Sequence, residues 1–247
     1  MRPSTRLVVL GKKLWTPALI STVLWLDADD ASTITLNGSN VSQWNDKSGN
    51  GRNAIQATAN HQPSYQTQGF NGKPTVAWPN ISNPRHLRVN STTPIQTFIC
   101  AIRFGSGSEA TFADYYGLFA TQHDPAVIGD PGAGTIWPAT NFKTARINGG
   151  SSFDPTVTPI LPLPASIVNF TSSSVVTGTL WNIGGERPVG VVDFNRGLHG
   201  LISEVIAFSA TPSTATRQLV EGYLAWKWEL TANLLDNHPF KLNPPLA

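Results

Sequence analysis

The 247-residue chain has a single cysteine, Cys100, which rules out an internal disulfide and a thiolate metal cluster. Cys100 lies in the apolar run IQTFICAIRF and reads as a buried core thiol. Charge is scarce as well, at 13% of residues against about 25% in an ordinary globular domain, so highly charged helical surfaces are not expected. Basic and acidic residues nearly balance, 17 to 15, and no basic run exceeds Lys12 and Lys13, which argues against nucleic acid as a partner. Lys12, Lys13 and Asp27 interrupt the apolar N-terminal segment, leaving no span of about 20 apolar residues for a membrane helix. Pro17 and the missing small-residue cleavage site argue against reading that segment as an export signal.

Chemical signatures are equally sparse. Five glutamates occur, and of these only Glu204 sits in a strand-like run, with no second acid two residues away as a glycosidase strand would need. GSGSE at 105–109 fails the serine-hydrolase pattern at its last position. Lys73 in FNGKPT lacks the upstream glycine of a phosphate loop, and GDPGAG departs from the dinucleotide fingerprint. Histidines 61, 86, 123, 199 and 238 show no metal-ligand spacing and read as non-catalytic.

What is abundant is turn chemistry, with 21 glycines and 19 prolines between apolar and β-branched runs. VLWLD, VSQW, PTVAW, HLRVN, QTFICAIRF, YYGLFAT, ASIVNF, GTLWNI, VGVVDF and GLISEVIAF read as strands, and the near-continuous apolar ones as strands covered on both faces. Two packed antiparallel sheets would accommodate them. One helix is expected at about 213–229, with Leu219, Tyr223 and Trp226 on one face, followed by an extended Pro- and Asn-rich tail over 231–247. Residues 1–14 read as an N-terminal arm and 15–247 as a single domain, the arm serving to contact neighbouring subunits or other proteins of an assembly.

The stretch VSQWNDKSGNGRNA combines an aromatic, a carboxylate and two glycines. We read it as architecture: Trp44 buried beneath a turn, Asp46 accepting backbone N–H groups, Gly49 and Gly51 in conformations that a Cβ disfavours. The functional rival is a calcium site using Asp27, Asp29, Asp30 or Asp46, for which roughly six to eight oxygens would be needed.

Together with WLDADD, which holds Trp25 and Asp27, with PSYQTQGFNGKPTVAW, and with the closing GLHGLISEVIAFSATPSTATRQLVEGYLAWKWELTANLLDNHPFKLNPP, which holds Glu204, Tyr223 and Trp226, this stretch resembles laminin-G-like (concanavalin A-like) jelly-roll domains. Many of these occur in bacteriophage structural proteins and bacterial surface proteins. The resemblance spans about residues 15–245 and is generic over 105–165. It implies an all-β two-sheet jelly roll with meeting termini and a helix at its side. In function it implies a non-enzymatic virion protein, as capsid decoration or a tail or fibre component at the phage surface. A carbohydrate-binding adhesin of a cell surface is the alternative, and a glucanase-like hydrolase the remote one. The middle segment gathers Tyr115, Tyr116, His123, Asp124, Asp130 and Trp137, a composition suited to a glycan or protein contact. The competing reading has Tyr115 and Tyr116 alternating inward and outward on an ordinary strand and Trp137 in the core. No cofactor is called for, calcium remaining the open case.

Overall fold

The computed structural model describes residues 13–79, 85–121, 126–185 and 196–247. Strands β1 (Leu24–Asp27), β2 (Ile34–Asn37), β3 (Asn40–Trp44), β4 (Ala54–Ile55), β5 (Ser64–Gln66), β6 (Thr75–Trp78) and β7 (Leu87–Val89) are short and broken by glycine and proline. The longer β8 (Thr93–Phe104) is followed by β9 (Gly117–Thr121), β10 (Val127–Ile128), β11 (Thr144–Ile147), β12 (Ser166–Gly178), β13 (Trp181–Ile183) and β14 (Gly200–Phe208). Helix α1 (Thr214–Lys227) is the single α-helix among the described residues. The fold is therefore all-β with one C-terminal helix, as the pattern of turns and β-branched runs predicts. VGVVDF lies outside the described residues, and YYGLFAT becomes a strand only from Gly117 onward.

All pairings between these strands are antiparallel, and they join in one path, β10-β9-β13-β7-β4-β3-β5-β6-β14-β8-β12-β11, with β1 added to β14 and β2 to β3. In place of two separate ladders, one large sheet curls until its halves face each other. The aromatic core reports that curl: Phe98 of β8 stacks on Phe119 of β9 at 4.2 Å and meets Trp181 of β13 edge-on at 5.3 Å. Those strands lie near opposite ends of the path, so the rings meet only because the sheet folds back into a sandwich-like pair of layers. All nine residues of β14 and the stretch Phe98–Ile102 of β8 are buried, the opposing layer covering one face and α1 the other.

Helix α1 starts where Ser213 accepts the Thr216 N–H at 3.1 Å, a side-chain N-cap. It ends as Glu229 takes a left-handed φ of 57°, while the Asn71 side chain donates to the carbonyls of Trp228 and Glu229 that the helix leaves unpaired. The buried side chains are Val220, Glu221, Tyr223, Leu224, Ala225 and, just past the end, Trp228. This corrects the expected face: Leu219 and Trp226 are only half-buried. The reason is the tail, which crosses a second side of the helix and takes the Trp226 indole N–H on the Phe240 carbonyl at 2.8 Å. The tail then returns to the start of the chain. Leu14 pairs with Leu246, Trp15 N–H donates to the Pro245 carbonyl at 2.9 Å, and Ala247 N–H to that of Lys13 at 3.0 Å. Lys13 and Leu14, expected in the arm, thus pair with the chain's end, and residues 1–12 lie outside the described residues.

The turn after β3 holds β1 in place. Asp46 accepts the backbone N–H groups of Trp25 and Ser48 at 2.9 Å each and of Arg52 at 3.0 Å, together with the Ser48 hydroxyl at 2.7 Å. Gly49 and Gly51 sit at φ of 86° and 68°, in open space, so the backbone angle and not crowding demands glycine. Trp44 is fully buried alongside. Asp46→Ala is expected to cost about 1.5–3 kcal/mol, the range for hydrogen bonds to a charged acceptor, measurable by urea denaturation.

Candidate functional site

Two clusters hold the side chains from which chemistry or binding is conceivable. The first follows from register. β1 lies antiparallel on β14 with Asp27 directly opposite Glu204, and opposed residues on neighbouring strands share a face. That face meets the end of α1. Lys227 enters between the two acids, its Nζ 2.5 Å from Asp27 Oδ1 and 2.8 Å from Glu204 Oε2. Lys47, from the turn after β3, bonds the other Asp27 oxygen at 2.8 Å and Asp30 at the same distance. Glu204, with no exposed surface, also accepts the Trp25 indole N–H at 2.7 Å, the Trp228 indole N–H at 2.8 Å and the Tyr223 hydroxyl at 3.0 Å.

The electrostatics follow from burial. Loss of water raises the Glu204 carboxyl above its ordinary range even though Lys227 pulls the other way. Burial lowers the Lys227 amine, but Glu204 and Asp27 outweigh it and the net direction is up. The Tyr223 hydroxyl is pushed well above its usual value by burial and by the charge of Glu204. A cross-strand acid pair on one face is the layout that glycoside hydrolysis uses, with carboxyls about 5–5.5 Å apart in retaining enzymes. Here the Lys227 ammonium lies between the acids and bonds both, and two indoles and a phenol donate to Glu204.

The same contacts bear on calcium. Both Asp27 oxygens face lysines, Asp30 faces Lys47 and Ser32, and Asp46 faces backbone N–H groups, so donors already occupy the oxygens a cation would require. Asp29 gives its own N–H to Asp27 Oδ1 at 3.1 Å. Among the described residues, no group of three or more His, Cys, Asp or Glu is arranged to hold a metal ion. No helix among them is long and apolar enough to cross a membrane.

The second cluster is at the surface before β9. Tyr115 and Trp137 are half-buried, with ring centroids 5.0 Å apart and planes at 79°. The Arg196 guanidinium lies over the Tyr115 ring at 4.4 Å, its main chain fixed because the Arg196 carbonyl accepts the Gly117 N–H. Trp137 is set by its N–H bond to the Ile128 carbonyl at 2.8 Å, at the end of β10. It stands at the edge of the surface and not in the core. Tyr116 is a correction: 8% exposed, it packs against Phe104 at 5.5 Å and has no face to offer a ligand. Both tyrosines precede β9, in a tight turn where the Tyr116 N–H donates to the Asp114 carbonyl at 2.8 Å. His123 and Asp124 lie outside the described residues.

Two of the described histidines, His86 and His238, are held against side-chain partners. Burial and the nearby Arg88 push His86 down to about 4, so it is neutral at pH 7, with its Nε2 2.9 Å from the Gln56 amide. His238 is buried against Glu221, which takes both hydrogen bonds from Arg217 at 2.8 and 2.7 Å. Sequence reasoning missed Lys47, Lys227 and Trp228 in the acidic cluster and Arg196 in the aromatic one. For Lys227 a signal exists in YLAWKW, where a lysine is flanked by aromatics in a helix docked on apolar strands. Comparison with protein-family models, with curated proteins and with solved structures finds no match for this chain.

Proposed function

We propose that this chain is a non-enzymatic structural and attachment module of a phage particle surface, one that meets carbohydrate through Tyr115, Trp137 and Arg196. The observation that carries the reading is a contrast between the two clusters. The acids that would run a hydrolysis are closed in by lysine and indole, while the aromatic pair reaches solvent beside a cation. Sugar rings stack their C–H faces on aromatic rings and offer hydroxyls to charged groups, and Tyr115, Trp137 and Arg196 supply both kinds of partner. The resemblance of the two chain ends to laminin-G-like virion proteins supports the particle assignment, with the segment before Lys13 as its link to neighbouring virion proteins.

A glycan array with the purified chain tests the contact. Trp137→Ala and Tyr115→Ala, at half-buried positions, are expected to keep the circular dichroism and melting of the parent and to lose at least about tenfold in affinity, the effect of one well-placed anchor. A blank array with folded parent protein overturns the carbohydrate reading. Binding that survives both substitutions places the contact elsewhere. A chain that binds glycans but is absent from purified particles favours the free adhesin.

A further inference from the structure

The cluster between β1, β14 and α1 brings together an amine, a carboxyl acceptor and a second carboxyl that has no exposed surface. We propose that Lys227 and Asp27 join in an intramolecular isopeptide bond, with Glu204 as the proton carrier. Three observations converge on it. The Lys227 Nζ lies 2.5 Å from Asp27 Oδ1, which places the amine beside the carboxyl whose carbon, Cγ, it must attack. Glu204 Oε2 lies 2.8 Å from the same nitrogen, within proton-transfer reach. Lys47 holds Asp27 Oδ2 at 2.8 Å, where its ammonium balances the charge that grows on that oxygen during attack. Trp25, Tyr223 and Trp228 donate to Glu204, which has no exposed surface, and the Asp27 and Lys227 side chains are 5% and 13% exposed, which limits competing water.

The step balances without any co-reactant. Glu204 accepts one proton from the Lys227 ammonium and passes it to Asp27 Oδ1, giving a neutral amine beside a neutral carboxyl. The amine nitrogen attacks Asp27 Cγ, forming the N–C bond. Glu204 takes a second proton from that nitrogen and delivers it to the Oδ1 hydroxyl, the Cγ–Oδ1 bond breaks, and one water molecule leaves. An amide with a single N–H remains. The raised Glu204 carboxyl, a consequence of burial, suits a group that must hold a proton between the two transfers.

Intact-mass spectrometry of the folded full-length chain under denaturing conditions, with peptide mapping, decides the matter. The expected parent mass is lower than that of the sequence by one water, and the digest contains a branched peptide joining the segments around Asp27 and Lys227. Glu204→Gln keeps amine and acceptor but removes the carrier, and is expected to show the full sequence mass. If Glu204→Gln does not fold, Lys227→Arg, which retains the charge, is expected to show the full sequence mass as well. Asp27→Asn is expected to expel ammonia in place of water, and so to converge on the parent's own cross-linked mass. A folded parent at full sequence mass overturns the proposal, as does a water loss mapped to one unbranched peptide. Cross-linking that persists in Glu204→Gln overturns the part assigned to Glu204.

Discussion

Lys227→Met is expected to destabilise the protein by at least about 3–5 kcal/mol, because it removes the group proposed to join Asp27 and leaves Asp27 and Glu204 buried with one cation fewer between them. For a chain of this size that corresponds to a fall in melting temperature of roughly 6–20 °C. The loss depends on pH, and its sign follows from Glu204. A carboxyl held above its unfolded value of 4.5 favours the folded chain fully below that pH, and the contribution is lost as pH rises through the folded-state value. Removing the lysine lifts Glu204 further still, so the variant is expected to recover stability on acidification. Thermal melts of parent and variant at pH 5 and pH 8 check this. An equal penalty at both would mean that the acids are not coupled to Lys227.

Phe98→Ala is expected to cost a similar amount, about 3–5 kcal/mol, through lost burial and the cavity left behind. Phe98 has 1% exposure and touches Phe119 at 4.2 Å, Trp181 at 5.3 Å and Phe142 at 5.5 Å, so one truncation removes contacts between both layers at once. Chemical denaturation followed by tryptophan fluorescence reports it directly, since Trp181 lines the gap. Leu242→Ala, at a position 80% exposed, is the control and should stay within about 0.5 kcal/mol of the parent.

Much of the fold is legible in the sequence because burial writes itself into composition. Runs such as TFICAI and LISEVIAF announce strands covered on both faces, and Ser213 announces the helix start. Shorter strands escape notice. β4 and β10 have two residues each and carry no periodicity to detect, and one edge of β4 pairs with a strand distant in sequence, Ala54 opposite Val89. The acidic cluster escaped for the same reason. A lone Glu204 has no partner within its own strand, and Asp27 comes alongside only when β1 docks on β14. Tyr115 and Tyr116 lie in a turn before β9, where strand periodicity does not apply, and the Arg196 cation over Tyr115 comes from far along the chain. The helix face was misjudged because periodicity counts one docking surface and the tail provides a second.

The pairing of Leu14 with Leu246 governs how the molecule responds to mechanical tension. If residue 13 and residue 247 are pulled apart, the load falls on a few adjacent backbone bonds that open one after another, and the layered body carries none of it until they have parted. Beyond that point the force reaches β1 and the helix end, where Asp27 and Lys227 are in contact. A covalent link there would shunt the load across the seam and leave only the outermost residues at either end free to extend.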